Sequence, residues 1–144
     1  MTRILLHTLA LAVLAVATAG VGAATPAAAA TPVTTASGLV YQSLREGQGD
    51  SPKAADTVTV HYRGTFPDGR EFDSSYGRGQ PAEFPLNRVI PCWTEGVQRM
   101  KPGGKARLVC PPAIAYGSRG AGDVIPPHQP LMFEVELLAV ESAR

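Results

Sequence analysis

Few residues in this chain are equipped for covalent or metal chemistry. The stretch RVIPCWTEG, Arg88 to Gly96, sets the only tryptophan, Trp93, beside Cys92, one of two cysteines. The histidines are His7, His61 and His128, too far apart for the ligand spacing of a zinc site. Two cysteines 18 positions apart are not a C-x-x-C pair, so no metal is expected. No G-x-S-x-G elbow or compact Ser/His/Asp pattern supplies a nucleophile. The glycines of GSRGAG (117–122) lack the Lys-Ser/Thr of a phosphate loop. What remains is nine aromatics, among them Tyr62, Phe72, Phe84, Trp93, Tyr116 and Phe133. They suit either a packed core or an apolar cleft with a few polar tips, whose chemistry would be non-covalent.

The elements that must position them follow from periodicity. In DTVTVHYRGTF (56–66), Val58, Val60 and Tyr62 alternate with Thr57, Thr59, His61 and Arg63, the period of a half-buried strand. The turn PDG and the extended REFDSSY make 57–73 a hairpin. GLVYQSL (38–44), KARLVC (105–110) and LMFEVELLAV (131–140) read as further strands, and PAEFPLNRVI as a proline-bearing edge. Trp93, Val97 and Met100 fall on one face of a short helix, which KPGG stops. The expected class is α+β, an antiparallel sheet packed on one short helix. Pro111 to Pro130 is a 20-residue connection in which eight residues are Gly or Pro, and loops of that length usually serve a site.

The first thirty residues stand apart. Arg3, an apolar run from Ile4 to about Val16, and A-x-A options at Ala17–Ala19 and Ala28–Ala30 describe a secretory signal peptide. The apolar run is short of the ~20 residues that span a bilayer, so cleavage and no lasting membrane association are expected. Cleavage after Ala30 takes 30 of the 144 residues and leaves about 114, one domain of ordinary size (38–144) behind a flexible lead-in (31–37). Removing Arg3 from the 13 basic residues leaves 12 against 12 acidic ones, which gives no basic field for nucleic acid.

Four separated stretches, VHYRGTFPDGREFDSS, RVIPCWTEGVQRMKPGGKARL, AYGSRGAGDVIPPH and LMFEVELL, resemble FKBP-type peptidyl-prolyl cis–trans isomerases. The resemblance covers about 38–141 in unbroken order, and the N-terminal pattern is similar to that of periplasmic bacterial members. It implies a twisted antiparallel half-barrel wrapped around one short helix, with a pocket between them that the long loop overhangs. It implies an isomerase without cofactor that turns X–Pro bonds in exported, folding polypeptides, with macrolides as candidate inhibitors, and acts as a monomer. A proline-segment binder without catalysis and a plain structural domain are the competing readings.

By the same resemblance Trp93 is the pocket floor, and Tyr62, Phe72, Phe84 and Phe133 are its walls. Val89 and Ile90 precede the helix, and the Ile90 N–H would meet a substrate carbonyl. Tyr116 would bring its hydroxyl to the substrate amide, and Val124 and Ile125 would line the loop side. Asp73 is the pocket acid near the Tyr62 hydroxyl, with Arg78 as its candidate partner. Plain core packing for the aromatics and a turn role for Asp73 are the alternatives. Ala82 and Ala121 stand where well-known members carry phenylalanine and histidine. Both remove bulk from the rim, which bears on the residue preferred before proline and on macrolide binding. Export would place the two cysteines in an oxidising compartment, so a Cys92–Cys110 disulfide is expected, with two buried thiols as the alternative.

Overall fold

The computed structural model describes residues 29–144, and the expected signal peptide lies almost wholly outside the described residues. Seven strands form one sheet: β1 (Val33–Thr34), β2 (Val40–Arg45), β3 (Thr57–Thr65), β4 (Glu71–Ser74), β5 (Ala82–Pro85), β6 (Lys105–Cys110) and β7 (Leu131–Glu141). The order is β1-β2-β6-β7-β3-β4, every pairing is antiparallel, and β5 also pairs with β3. The sheet is open and curls over one helix, α2 (Pro91–Val97).

Alternation decides which side chains face that helix. Val58, Val60 and Tyr62 of β3, Ala106, Leu108 and Cys110 of β6, and Leu131, Phe133, Val135 and Leu137 of β7 are all buried. The opposite face carries ion pairs between strands, Arg45–Glu136 at 2.9 Å from β2 across β6 to β7, and Arg107–Glu134 at 3.0 Å between the neighbours β6 and β7. Helix α2 starts on Pro91, whose fixed φ suits the first helical position. It buries Cys92, Trp93, Gly96 and Val97 against the sheet. Cys92 is bonded to Cys110, with the Cα atoms 5.8 Å apart, so the start of the helix is tied to the end of β6.

The structure adds elements that periodicity did not indicate. Residues 31–37, expected to be a flexible lead-in, contain β1, which pairs with β2 through Val33↔Tyr41 and Thr34↔Val40. The hairpin expected over 57–73 is extended through Ser74, but the extended pattern read for REFDSSY stops there. Ser75–Arg78 form a second helix, α1, capped by the Ser74 side chain, which accepts from the Gly77 N–H. The connection 111–130 is not structureless. It has a 3-10 turn at Pro112–Ile114 and a β-bridge between Ala121 and Ile125. It is closed by the His128 N–H, which donates to Gly117 O at 2.9 Å. Gly120 makes this fold-back feasible: its φ is +64°, and a Cβ there would stand 2.2 Å from Ile125 O.

Candidate active site

A cavity of about 440 Å³ opens between α2 and the concave face of the sheet. Trp93 forms its floor, and three rings meet the indole edge to face. Tyr62, Phe84 and Phe133 have centroids 5.2, 5.6 and 5.4 Å from it, at interplanar angles of 85–88°. Phe72 continues the wall by packing edge-on against Phe133 at 5.6 Å. Each ring is delivered by an inward strand position or, for Trp93, by the third residue of α2. Gly64 leaves room for Phe72, since a Cβ there would come within 2.5 Å of Phe72 Cζ.

One carboxylate interrupts the apolar lining. Asp73 Oδ2 accepts from the Tyr62 hydroxyl, and Asp73 Oδ1 accepts from Arg78 Nη1 at 2.6 Å. Arg78 Nη2 donates to the Tyr62 hydroxyl oxygen at 2.9 Å, which closes a triangle. Its guanidinium also lies 5.7 Å from the centroid of the Tyr62 ring. Partial burial works to raise the Asp73 pKa. The hydrogen bonds from Tyr62 and Arg78, with the Arg78 charge, outweigh it and hold the carboxyl below its ordinary value. Tyr62 is pushed upward by burial first and by its bond to Asp73 second. Asp73 is therefore a fixed carboxylate and Tyr62 a fixed phenol at neutral pH. Neither is poised to exchange a proton.

Ser75, which sequence reasoning missed, sets the position of Tyr62. The edge of β3 away from β7 is shared between β5, which pairs with residues 57–60, and β4, which pairs with 63–65. Tyr62 falls in the gap. The buried Ser75 hydroxyl stands in for a neighbouring strand there: Oγ accepts from the Tyr62 N–H at 2.8 Å and donates to its carbonyl at 3.3 Å. His61 Nδ1 shares the same hydroxyl at 2.9 Å. Only the tertiary gap between two short strands reveals this role.

Of the residues expected at the site, Tyr62, Phe72, Asp73, Phe84, Val89, Ile90, Trp93, Tyr116 and Phe133 all line the cavity. Ile90 caps α2, its carbonyl accepting from the Trp93 N–H at 2.9 Å. Among the described residues its own N–H has no acceptor, and neither does the Tyr116 hydroxyl. Burial, then the charge of Asp73, raises the Tyr116 pKa, so that hydroxyl also keeps its proton. Val124 and Ile125 do not line the cavity. Val124 is 56% exposed, and Ile125 is buried in the core at 4%, where it anchors the loop that carries Tyr116. Proximity in sequence to a pocket loop did not distinguish an anchor from a lining residue. Arg88, not anticipated, does line the cavity. Among the described residues no cluster of three His, Cys, Asp or Glu side chains could hold a metal ion. No described helix is long and apolar enough to cross a membrane.

Comparison with known proteins places this geometry. The profile of the FKBP-type peptidyl-prolyl cis-trans isomerase family matches residues 49–138. FkpA of Escherichia coli strain K12 is 54% identical over 110 residues, which cover 76% of this chain and 40% of that protein. Mip of Coxiella burnetii is 51% identical over 108 residues, covering 75% of this chain and 47% of that one. This chain thus spans less than half the length of these relatives. The crystal structure of E. coli FkpA superposes with a TM-score of 0.76 at 52% identity, over 78% of this chain and 53% of that one. That of AtFKBP13 gives 0.71 at 34% identity and is covered over 98% of its length. A single family profile across most of the described residues, together with the fold of its solved members, has one reading: the chain belongs to the FKBP-type peptidyl-prolyl cis-trans isomerase family.

Proposed function

We propose that this chain is a peptidyl-prolyl cis–trans isomerase that turns X–Pro bonds in exported polypeptides and assists their folding. The observation that carries the reading is the indole floor of Trp93, ringed edge-on by Tyr62, Phe84 and Phe133. A proline ring is compact, apolar and of a size to rest on it.

The chemistry needs no nucleophile. Rotation about a tertiary amide faces a barrier of ~18–20 kcal/mol, because resonance must be broken. In the planar amide resonance places charge on the carbonyl oxygen, and water stabilises that charge. A cavity that excludes water removes this support from the planar form more than from the twisted one. The unpartnered Ile90 N–H and Tyr116 hydroxyl then hold the chain on either side of the rotating bond. Interactions that improve as the amide twists lower the barrier. Asp73, locked by Tyr62 and Arg78, orients the Tyr62 wall and presents a fixed dipole rather than a base.

The signal-like N-terminus and a formed disulfide, which persists in oxidising compartments, support export to a periplasmic or extracellular site. Exchange NMR or a protease-coupled assay on an Ala-Leu-Pro-Phe peptide tests the proposal. Acceleration at micromolar protein is expected, and its absence would reject the enzyme. Quenching of Trp93 fluorescence by the peptide without acceleration would instead identify a proline-segment binder.

A further inference from the structure

The mouth of the cavity carries an uncompensated positive charge. Its one lining carboxylate, Asp73, is neutralised within the triangle by Arg78. Arg88 lines the same cavity, is exposed, and among the described residues makes no hydrogen bond or ion pair. The nearest acids along the chain do not answer it. Glu95 accepts from the Ser37 hydroxyl, and Glu83 alternates with the inward Phe84 on β5. The base of Arg88 is nevertheless fixed. It ends a 3-10 turn (Leu86–Arg88) whose Leu86 is fully buried, and both polar groups of the Leu86 backbone are engaged. The Leu86 N–H donates to Asp56 O at 2.9 Å, and its carbonyl accepts from the Thr94 hydroxyl at 2.6 Å. A residue fixed at its base thus brings an exposed arginine, unpaired among the described residues, to the lining of a largely aromatic cavity.

We infer that Arg88 is a specificity-determining residue, which favours polypeptides with an acidic side chain directly before or after the proline held on Trp93. This rests on the isomerase reading and adds a charge preference to it. A guanidinium is a strong partner for a carboxylate. Because it is exposed, the preference is modest and salt-dependent.

The test compares kcat/KM for two peptide series, Ala-Xaa-Pro-Phe and Ala-Leu-Pro-Xaa-Phe, with Xaa as Glu, Gln or Lys, using exchange NMR. The expected result in at least one series is a Glu over Lys preference of about two- to fivefold in low salt. It should shrink toward one at about 1 M salt, where the Debye length is about 3 Å. The substitution Arg88→Glu should invert the ratio, and Arg88→Gln should abolish it. Because each variant is compared with itself across peptides, a change in its overall activity does not enter the ratio. Equal rates for Glu and Lys in both series, or a preference that survives Arg88→Gln, would overturn the inference while leaving the isomerase intact. Failure to accelerate the parent Ala-Leu-Pro-Phe peptide would remove the isomerase reading itself.

Discussion

Asp73 shows how one residue can be charged, buried in part and still chemically idle. Its carboxyl lies below the ordinary value because Tyr62 and Arg78 overcome the effect of burial, while Tyr62 and Tyr116 lie above theirs. A depressed carboxyl contributes its interaction fully above the unfolded pKa of about 3.9 and loses it as pH falls through the lower folded value. A raised phenol keeps its proton past its ordinary pKa of about 10. The pair therefore keeps one protonation state from about pH 5 to about pH 9. We expect kcat/KM on a Leu-Pro peptide to be flat across that window and to decline only below about pH 4, as read by exchange NMR. A bell-shaped profile inside it would mean that a titrating acid or base takes part. Most of the cavity was legible in the sequence only through the family resemblance: spacing put large aromatics on strands and one tryptophan at a helix start, but left plain core packing open for them. Ser75 and Arg88 left no such signal. A serine among serines and an exposed arginine acquire meaning only from a gap between strands or from the absence of a partner.

Helix α2 works by lying close to the sheet. Gly96 permits this: a Cβ at that position would meet Leu108 Cδ2 at 2.8 Å and Cδ1 at 2.9 Å. Leu108 is fully buried, so it has little room to yield. Two effects compete in Gly96→Ala. Helix propensity favours alanine by ~1 kcal/mol, whereas overpacking a filled core costs ~1–3 kcal/mol. With the neighbour confined, the clash should win. Urea denaturation should show a loss of ~1–2 kcal/mol. Because the same helix carries Trp93, KM for peptide should rise along with it. A higher midpoint would show that the helix can shift without penalty. The long strands and this helix were readable from period-2 and helical spacing. The helix Ser75–Arg78 and the strand Val33–Thr34 were not. Each is about one turn or one pair long, too short for a period to repeat, and is held by a cap or by pairing with the next strand.

At the scale of the whole molecule, Trp93 belongs both to the cavity and to the single core. It is 4% exposed and sits in one buried cluster with Leu39, Val60, Leu108, Val135 and Leu137. The Cys92–Cys110 bridge joins its helix to β6, where the loop bearing Tyr116 also begins. The site therefore has no separate foundation that could melt while the sheet persists. Thermal unfolding followed by Trp93 fluorescence and by far-UV circular dichroism should give coincident transitions. Replacing both cysteines with alanine removes a closed loop, with residues 18 apart in sequence, from the unfolded ensemble. That change should lower stability by ~3 kcal/mol. For a domain of this size, such a loss lowers Tm by on the order of 10 °C. Both signals should move together, because the bridge ties the floor to the sheet that encloses it. If fluorescence instead fell first in the cysteine-free variant, helix and cavity would form a separately unfolding unit. The disulfide would then be a clamp on the site rather than a brace for the whole fold.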